Sequence, residues 1–218
     1  MEYLICALTG YLIGTVNPSY IYGKLKGVDI RKRGSGNAGA SNALILFGKA
    51  VGFLFALLDI AKPCIAMLIC SALFPENAYV FAVTCAFCII GHMFPFYMKF
   101  RGGKGLACLG GTILCFNPVV FVVMLASEII IVLCVDYLCF VPITASIAFP
   151  IVHYFMTGNL IATLILLAVG FIMLFKHFEN LRRIRAGREV HFSYLWKKDK
   201  ELARINKNAG VDITKEHE

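Results

Sequence analysis

Leu106-Ala107-Cys108-Leu109-Gly110-Gly111-Thr112-Ile113-Leu114-Cys115-Phe116-Asn117-Pro118 opens an apolar block that runs on to residue 156. How this block divides decides the fold. A transmembrane helix needs about 20 apolar residues, with a range of about 17–25. The block is too long for two such spans, and it carries helix breakers at Asn117-Pro118 and Pro142. It divides into 104–117, 118–138 and 140–156, the first of them short. Four further apolar stretches, 3–23, 50–74, 78–98 and 160–177, give seven spans, with six as the alternative count.

Composition supports the membrane reading. The 218 residues are 59% hydrophobic and 16% charged. Soluble domains sit at about 45–50% apolar and about 25% charged. The first stretch begins Met1-Glu2-Tyr3 without a basic leader and is interrupted by Asn17-Pro18-Ser19, so it reads as a retained span. Nine cysteines fall almost entirely in apolar runs and act there as small hydrophobes. Cys85-Ala86-Phe87-Cys88 has metal-like spacing but no second ligand pair nearby, and it reads as structural.

Basic residues orient the spans. With seven spans, the loops 24–49 and 99–105 and the tail from 176 share one side and hold six, three and eleven of the 21 Lys and Arg residues. The opposite loops hold none. The positive-inside rule then sets the N-terminus outside and the tail in the cytoplasm. The expected fold is an all-α, polytopic integral membrane helical bundle with seven transmembrane helices over residues 1–190. A cytoplasmic basic tail, 191–218, follows as an interfacial helix or a disordered segment. The net charge of +8 is explained by topogenic and headgroup-facing cations, and no nucleic-acid module is recognisable.

Charged side chains also lie within the expected spans. Asp59 and Lys62 are three apart on one helix face and can pair. Glu128 has no local partner.

Three polar clusters stand where spans meet the cytoplasm. Arg31-Lys32-Arg33 leads into Gly34-Ser35-Gly36-Asn37-Ala38-Gly39-Ala40-Ser41-Asn42, whose small residues leave backbone N–H groups free to converge on an anion. Gly91-His92-Met93-Phe94-Pro95 precedes Arg101-Gly102-Gly103-Lys104-Gly105, with cations inside a glycine-rich turn. His92 reads as a cap or packing residue. His177 and Asn180 share a face at a helix end, near Arg183 and Glu189. Two cationic glycine loops suit a site for two phosphate-bearing groups. There is no His-Glu-x-x-His motif, no His-x4-Asp motif and no serine nucleophile elbow, so binding and orientation fit better than an acyl-enzyme.

These clusters resemble, in order and spacing, the three motifs of the PlsY-type acyl-phosphate:glycerol-3-phosphate acyltransferases: Asp29 to Asn42, then Gly91 to Gly105, then His177…Asn180…Arg183…Gly187…Glu189. The resemblance implies a seven-span enzyme of phospholipid biosynthesis in the plasma membrane, with its active site on the cytoplasmic side. It implies acyl transfer from acyl phosphate to the sn-1 hydroxyl of glycerol 3-phosphate, without metal or other cofactor. Catalytic positions would be Ser35, Lys104, His177 and Asn180. Substrate would be bound by Gly36, Asn37, Gly39, Ala40, Ser41, Asn42, Arg101, Gly102 and Gly103, with Glu189 as structural support. Departures from the pattern are Ile45 for Arg, Cys139 and Pro142 for two serines, Phe178 for Arg, Ser41 for Thr and Pro63 for Gly. Two other readings stay open: a relative with a different acceptor, and a non-catalytic membrane protein that binds a phosphorylated ligand.

Overall fold

A computed structural model of the chain describes residues 1–209, and the structure is helical throughout. Residues 210–218 of the expected tail lie outside the described residues. The first apolar stretch forms two helices, α1 (Glu2–Thr15) and α2 (Pro18–Leu25). Pro18 has no N–H with which to continue a helical ladder, but it suits a first helical position. Asn17 caps α2 by accepting from the Tyr20 amide at 2.8 Å.

That break frees carbonyls at membrane depth, where no water can satisfy them. Lys62 meets them from α4 (Lys49–Leu73), its Nζ lying 3.2 Å from the Gly14 carbonyl oxygen and 2.9 Å from that of Val16. Asp59 balances the charge at 2.7 Å. The pair expected from its spacing is therefore formed, and it mends the broken first span. Pro63 creates a second gap by denying Asp59 its intrahelical donor, and the Cys108 thiol donates to that carbonyl at 3.4 Å.

α5 (Val80–Met93) lies so close to α1 that side chains do not fit between them. A Cβ on Gly14 would stand 2.1 Å from the Cys88 carbonyl oxygen, and one on Gly91 would stand 2.2 Å from that of Tyr11. Small residues of this kind let membrane helices approach backbone to backbone.

Four helices complete the apolar part. α6 (Leu106–Phe116) follows a positive-φ Gly105 and covers 11 residues; the preceding glycines form a loop and do not lengthen it. At about 1.5 Å per residue it falls short of the ~30 Å hydrocarbon core. Asn117 ends α6 and caps α7 (Pro118–Val135), followed by α8 (Phe140–Thr157) and α9 (Leu160–Arg185). Among the described residues, six segments are long and apolar enough to cross a membrane: 2–25, 49–73, 80–98, 118–135, 140–157 and 160–185.

The fold carries apolar residues on both surfaces. Ile89, Met93, Leu109, Phe149 and Met173 fill the core, while Phe53, Leu68, Val119, Leu133 and Phe155 point outward. A lipid-solvated bundle needs this arrangement, since the bilayer is as apolar as the interior. Glu128, without a local partner in sequence, meets Thr144 of α8, whose hydroxyl is 2.7 Å and 2.9 Å from the two carboxylate oxygens.

Candidate active site

The glycine loop is held from within. Asn42 is fully buried, with Nδ2 at 2.8 Å, 3.0 Å and 2.9 Å from the carbonyl oxygens of Ile30, Arg33 and Asn37. Its Oδ1 accepts from the Ser35 amide at 2.8 Å. Gly34 has φ +60°, and a Cβ there would meet Asn42 Oδ1 at 2.2 Å, so only glycine fits. Arg31 is structural as well. It forms a two-pronged pair with Asp29, at 2.9 Å and 2.8 Å, and donates to the Met98 carbonyl at 2.8 Å. The Arg31 guanidinium bonded to Asp29 holds that carboxyl down to about 2. The loop ends at Gly39, which starts α3 (Ala40–Phe47). A helix N-terminus adds free N–H groups and a positive dipole end suited to an anion.

The second cluster rests on His92. The amides of Gly102 and Gly103 donate to the Met93 and His92 carbonyls, each at 3.1 Å. A Cβ on Gly103 would lie 2.0 Å from His92 Nε2. These glycines are thus used to seat their loop on the imidazole, and the residue delivered by the loop is Lys104. Asp59, His92 and Cys108 place ligand-type atoms within 4.8 Å of one another. The Lys62 ammonium already stands where a cation would, 2.7 Å from Asp59 Oδ1 and 2.9 Å from His92 Nδ1.

The third cluster closes the site. The His177 ring is buried, and its Nδ1 donates to the Met173 carbonyl at 2.8 Å, which turns Nε2 away as the free ring nitrogen. Lys104 Nζ donates to Asn180 Oδ1. Asn180 Nδ2 donates to Glu189 Oε1 at 2.6 Å, and Arg183 Nε donates to Glu189 Oε2 at 2.7 Å. Arg183 Nη1 lies 3.5 Å from the Ser35 carbonyl oxygen. A continuous polar chain therefore joins Lys104, Asn180, Glu189, Arg183 and Ser35. Burial pushes the Lys104 ammonium below its ordinary range, and Arg183 adds to this by repulsion.

These groups surround one cavity of about 370 Å³. Its polar wall includes Ser35, Asn37, Gly39, Ala40, Ser41, Lys104, His177, Asn180, Arg183 and Glu189. Gly36, Asn42, Arg101, Gly102 and Gly103 are not brought to its wall: Asn42 works inside the loop, the two glycines behind Lys104, and Arg101 is exposed. Ser41, Ile45, Cys139 and Pro142 all line the cavity, so four of the departures from the family pattern change its surface. Phe178 is exposed and packs edge-on against Phe175 at 5.3 Å, away from the cavity. Burial pushes the Cys139 thiol up to about 11, which leaves little thiolate to act as a nucleophile.

Sequence reading did not single out Arg183 as the guanidinium that faces the glycine loop. Its spacing was the available signal, since Asn180 and Arg183 are three apart on one helix face. Nor did it bring residues 190–195 into the cavity, although Val190, Phe192, Tyr194 and Leu195 line it.

An all-helical bundle with lipid-facing apolar surfaces and a glycine-framed cavity holding Lys104 and Arg183 defines a class of integral membrane protein with a site suited to an anion. Comparison with known proteins narrows it. The sequence profile described as glycerol-3-phosphate acyltransferase matches residues 4–187. Glycerol-3-phosphate acyltransferase 1 of Oceanobacillus iheyensis is 35% identical over 206 residues, covering 91% of this chain and 99% of that protein. The glycerol-3-phosphate acyltransferase of Aquifex aeolicus is 33% identical over 193 residues, covering 88% and 100%. A crystal structure of PlsY, an integral membrane glycerol 3-phosphate acyltransferase in its glycerol 3-phosphate form, matches with a TM-score of 0.81 at 31% identity over 89% of this chain and 98% of that one. The chain belongs to the glycerol-3-phosphate acyltransferase family, and it is an acyltransferase.

Proposed function

We propose that this enzyme transfers an acyl chain from acyl phosphate to the sn-1 hydroxyl of glycerol 3-phosphate, giving lysophosphatidate and inorganic phosphate. The observation that carries the reading is the Lys104–Asn180–Glu189–Arg183 chain facing the Ser35 loop across one cavity. It offers two cationic ends for two phosphate groups, with an apolar flank for the acyl chain. Lys104 takes the phosphate of the acceptor. Ser35 and the first turn of α3, with Arg183 nearby, take the phosphate of the donor. Asn180 and His177 Nε2 orient the attacking hydroxyl.

The hydroxyl oxygen then bonds to the acyl carbon, the bond from that carbon to the phosphate oxygen breaks, and the hydroxyl proton goes to the departing phosphate. Catalysis here is positioning plus charge stabilisation. The bilayer is the setting. We read α6 as a seventh, short crossing, with the N-terminus outside and this site at the cytoplasmic face of the plasma membrane. The one-sided distribution of Lys and Arg supports that orientation. Residues 191–209 continue from the bundle as a cytoplasmic segment.

The test uses purified protein with acyl phosphate and glycerol 3-phosphate. Phosphate release accompanied by lysophosphatidate supports the assignment. Phosphate release that requires some other acceptor would replace it with the alternative suggested by Ile45, which stands in the cavity wall where the family pattern has Arg.

A further inference from the structure

The sequence profile matches residues 4–187, and the residues just beyond it also enter the cavity. A short turn, Phe192–Leu195, contributes to its lining and is tied down at several points. Asp136, in a left-handed turn between α7 and α8, accepts from the Ser193 amide at 2.7 Å and from its hydroxyl at 2.8 Å. The Asp136 carbonyl takes the Phe192 amide at 2.7 Å. His191 Nε2 lies 2.9 Å from the Tyr137 hydroxyl, and the His191 amide donates to Glu201 at 2.8 Å. Arg204, on α10 (Lys198–Ala209), donates to the carbonyls of Gly187 and Glu189 at 2.7 Å and 2.6 Å. From the start of α4, Lys49 Nζ donates to the Leu195 carbonyl at 2.7 Å.

These tethers occupy the hydrogen-bonding groups of Ser193 and His191. Of the residues here that line the cavity, His191 is thus already bonded, and Val190, Phe192, Tyr194 and Leu195 offer mainly hydrocarbon surface. Cys139 and Pro142, where the family pattern has hydroxyls, line the same cavity. The flank runs on to Phe53 and Leu138, which are 66% and 38% exposed on the lipid-facing surface while also lining the cavity. An apolar arm thus leads from the phosphate end of the site to the bilayer, walled on one side by the tethered turn.

We infer that residues 190–195 form a specificity-determining wall for the acyl chain of the donor. The inference rests on the proposed acyl-phosphate reading for its substrate. A fixed wall limits how far and in which direction a chain extends before it bends. Discrimination per methylene in such a slot runs to about tenfold or more.

The experiment uses the full chain in lipid nanodiscs, with Tyr194→Ala, Leu195→Ala and the tether variant Asp136→Asn. Relative kcat/KM is measured for a short-chain and a long-chain acyl phosphate. In parallel, a non-hydrolysable acyl phosphonate with a photoreactive group on its chain is crosslinked and the labelled peptide mapped. The expected result is a shift of at least about fivefold in the long-to-short ratio, an unchanged KM for glycerol 3-phosphate, and label within 190–195. An unchanged ratio, or parallel loss at both lengths, overturns the inference. If the wild type turns over no acyl phosphate, the proposed function fails, and the crosslink alone decides: label within 190–195 upholds the wall, and label elsewhere or none refutes it.

Discussion

Asn180 donates from Nδ2 to Glu189 Oε1 at 2.6 Å while its own Oδ1 accepts from Lys104. The two contacts fix which way the amide faces, because the carboxylate only accepts and the ammonium only donates. Glu189 thus holds the Asn180 amide, and Asn180 in turn holds Lys104.

Glu189→Gln should therefore lower kcat while the fold survives. The new amide can turn either end toward Asn180 and no longer balances Arg183. A lost hydrogen bond to a charged group is worth about 1.5–3 kcal/mol, or roughly a ten- to hundredfold fall in rate. Steady-state kinetics with thermal unfolding of the same sample checks it. A wild-type kcat in a folded variant would remove Glu189 from the positioning chain.

Lys104→Ala should abolish use of the phosphorylated acceptor, and Lys104→Arg should restore little, since a planar fork does not replace a point charge on Asn180. The pH dependence has a definite sign. The folded ammonium sits below its ordinary value of 10.5, chiefly through burial. Its charge is lost as pH rises, and sooner than in an exposed lysine. Acceptor KM should climb on that alkaline limb. The unfolded chain keeps the proton to higher pH, so this group's contribution to stability rises through the same interval while acceptor binding weakens. A KM that stays flat up to the ordinary lysine range would contradict the role.

Much of this architecture is legible in sequence, and the limits have physical causes. Apolar runs separated by Asn117-Pro118 and similar breakers announce the helices, because bilayer thickness sets their length. Asp59 and Lys62 are readable as a pair from their spacing. The task of Lys62 is not, since the carbonyls it satisfies belong to another helix, 46 and 48 residues earlier. Glu128 is the same case, its partner being 16 residues away on α8. The Gly10-x-x-x-Gly14 spacing was available as a packing signal but needs Gly91 on the facing helix to acquire meaning. The entry of residues 190–195 into the cavity has no local sign, because it depends on Asp136 accepting backbone groups from a segment far along the chain.

Lys62→Met should be the most destabilising single change in the membrane part. It strands a buried Asp59 and leaves the Gly14 and Val16 carbonyls without their donor. Removing one member of a buried pair costs about 3–5 kcal/mol. Asp59→Asn in the same chain should recover only part of the loss, since it cures the stranded charge and not the carbonyls. Thermal unfolding of the single and double variants in detergent measures this. Full recovery in the double variant would mean that the first-span break needs no donor.

Ile45→Arg addresses the departure that lies in the cavity wall. The site already holds Lys104 and Arg183, but Arg183 is engaged by Glu189 at 2.7 Å and by Glu179 at 2.9 Å. Its remaining capacity toward a phosphate is reduced. A guanidinium at position 45 would add a bidentate donor beside the Ser35 loop, and such contacts are about twice as strong as neutral hydrogen bonds. The expected outcome is a KM for one phosphorylated substrate lowered by roughly tenfold, with kcat little changed, since the added contact binds ground and transition states alike. The substrate that responds identifies which phosphate lies next to α3. An unchanged KM for both would show that Arg183, despite its two carboxylate partners, already supplies the charge that Ile45 lacks.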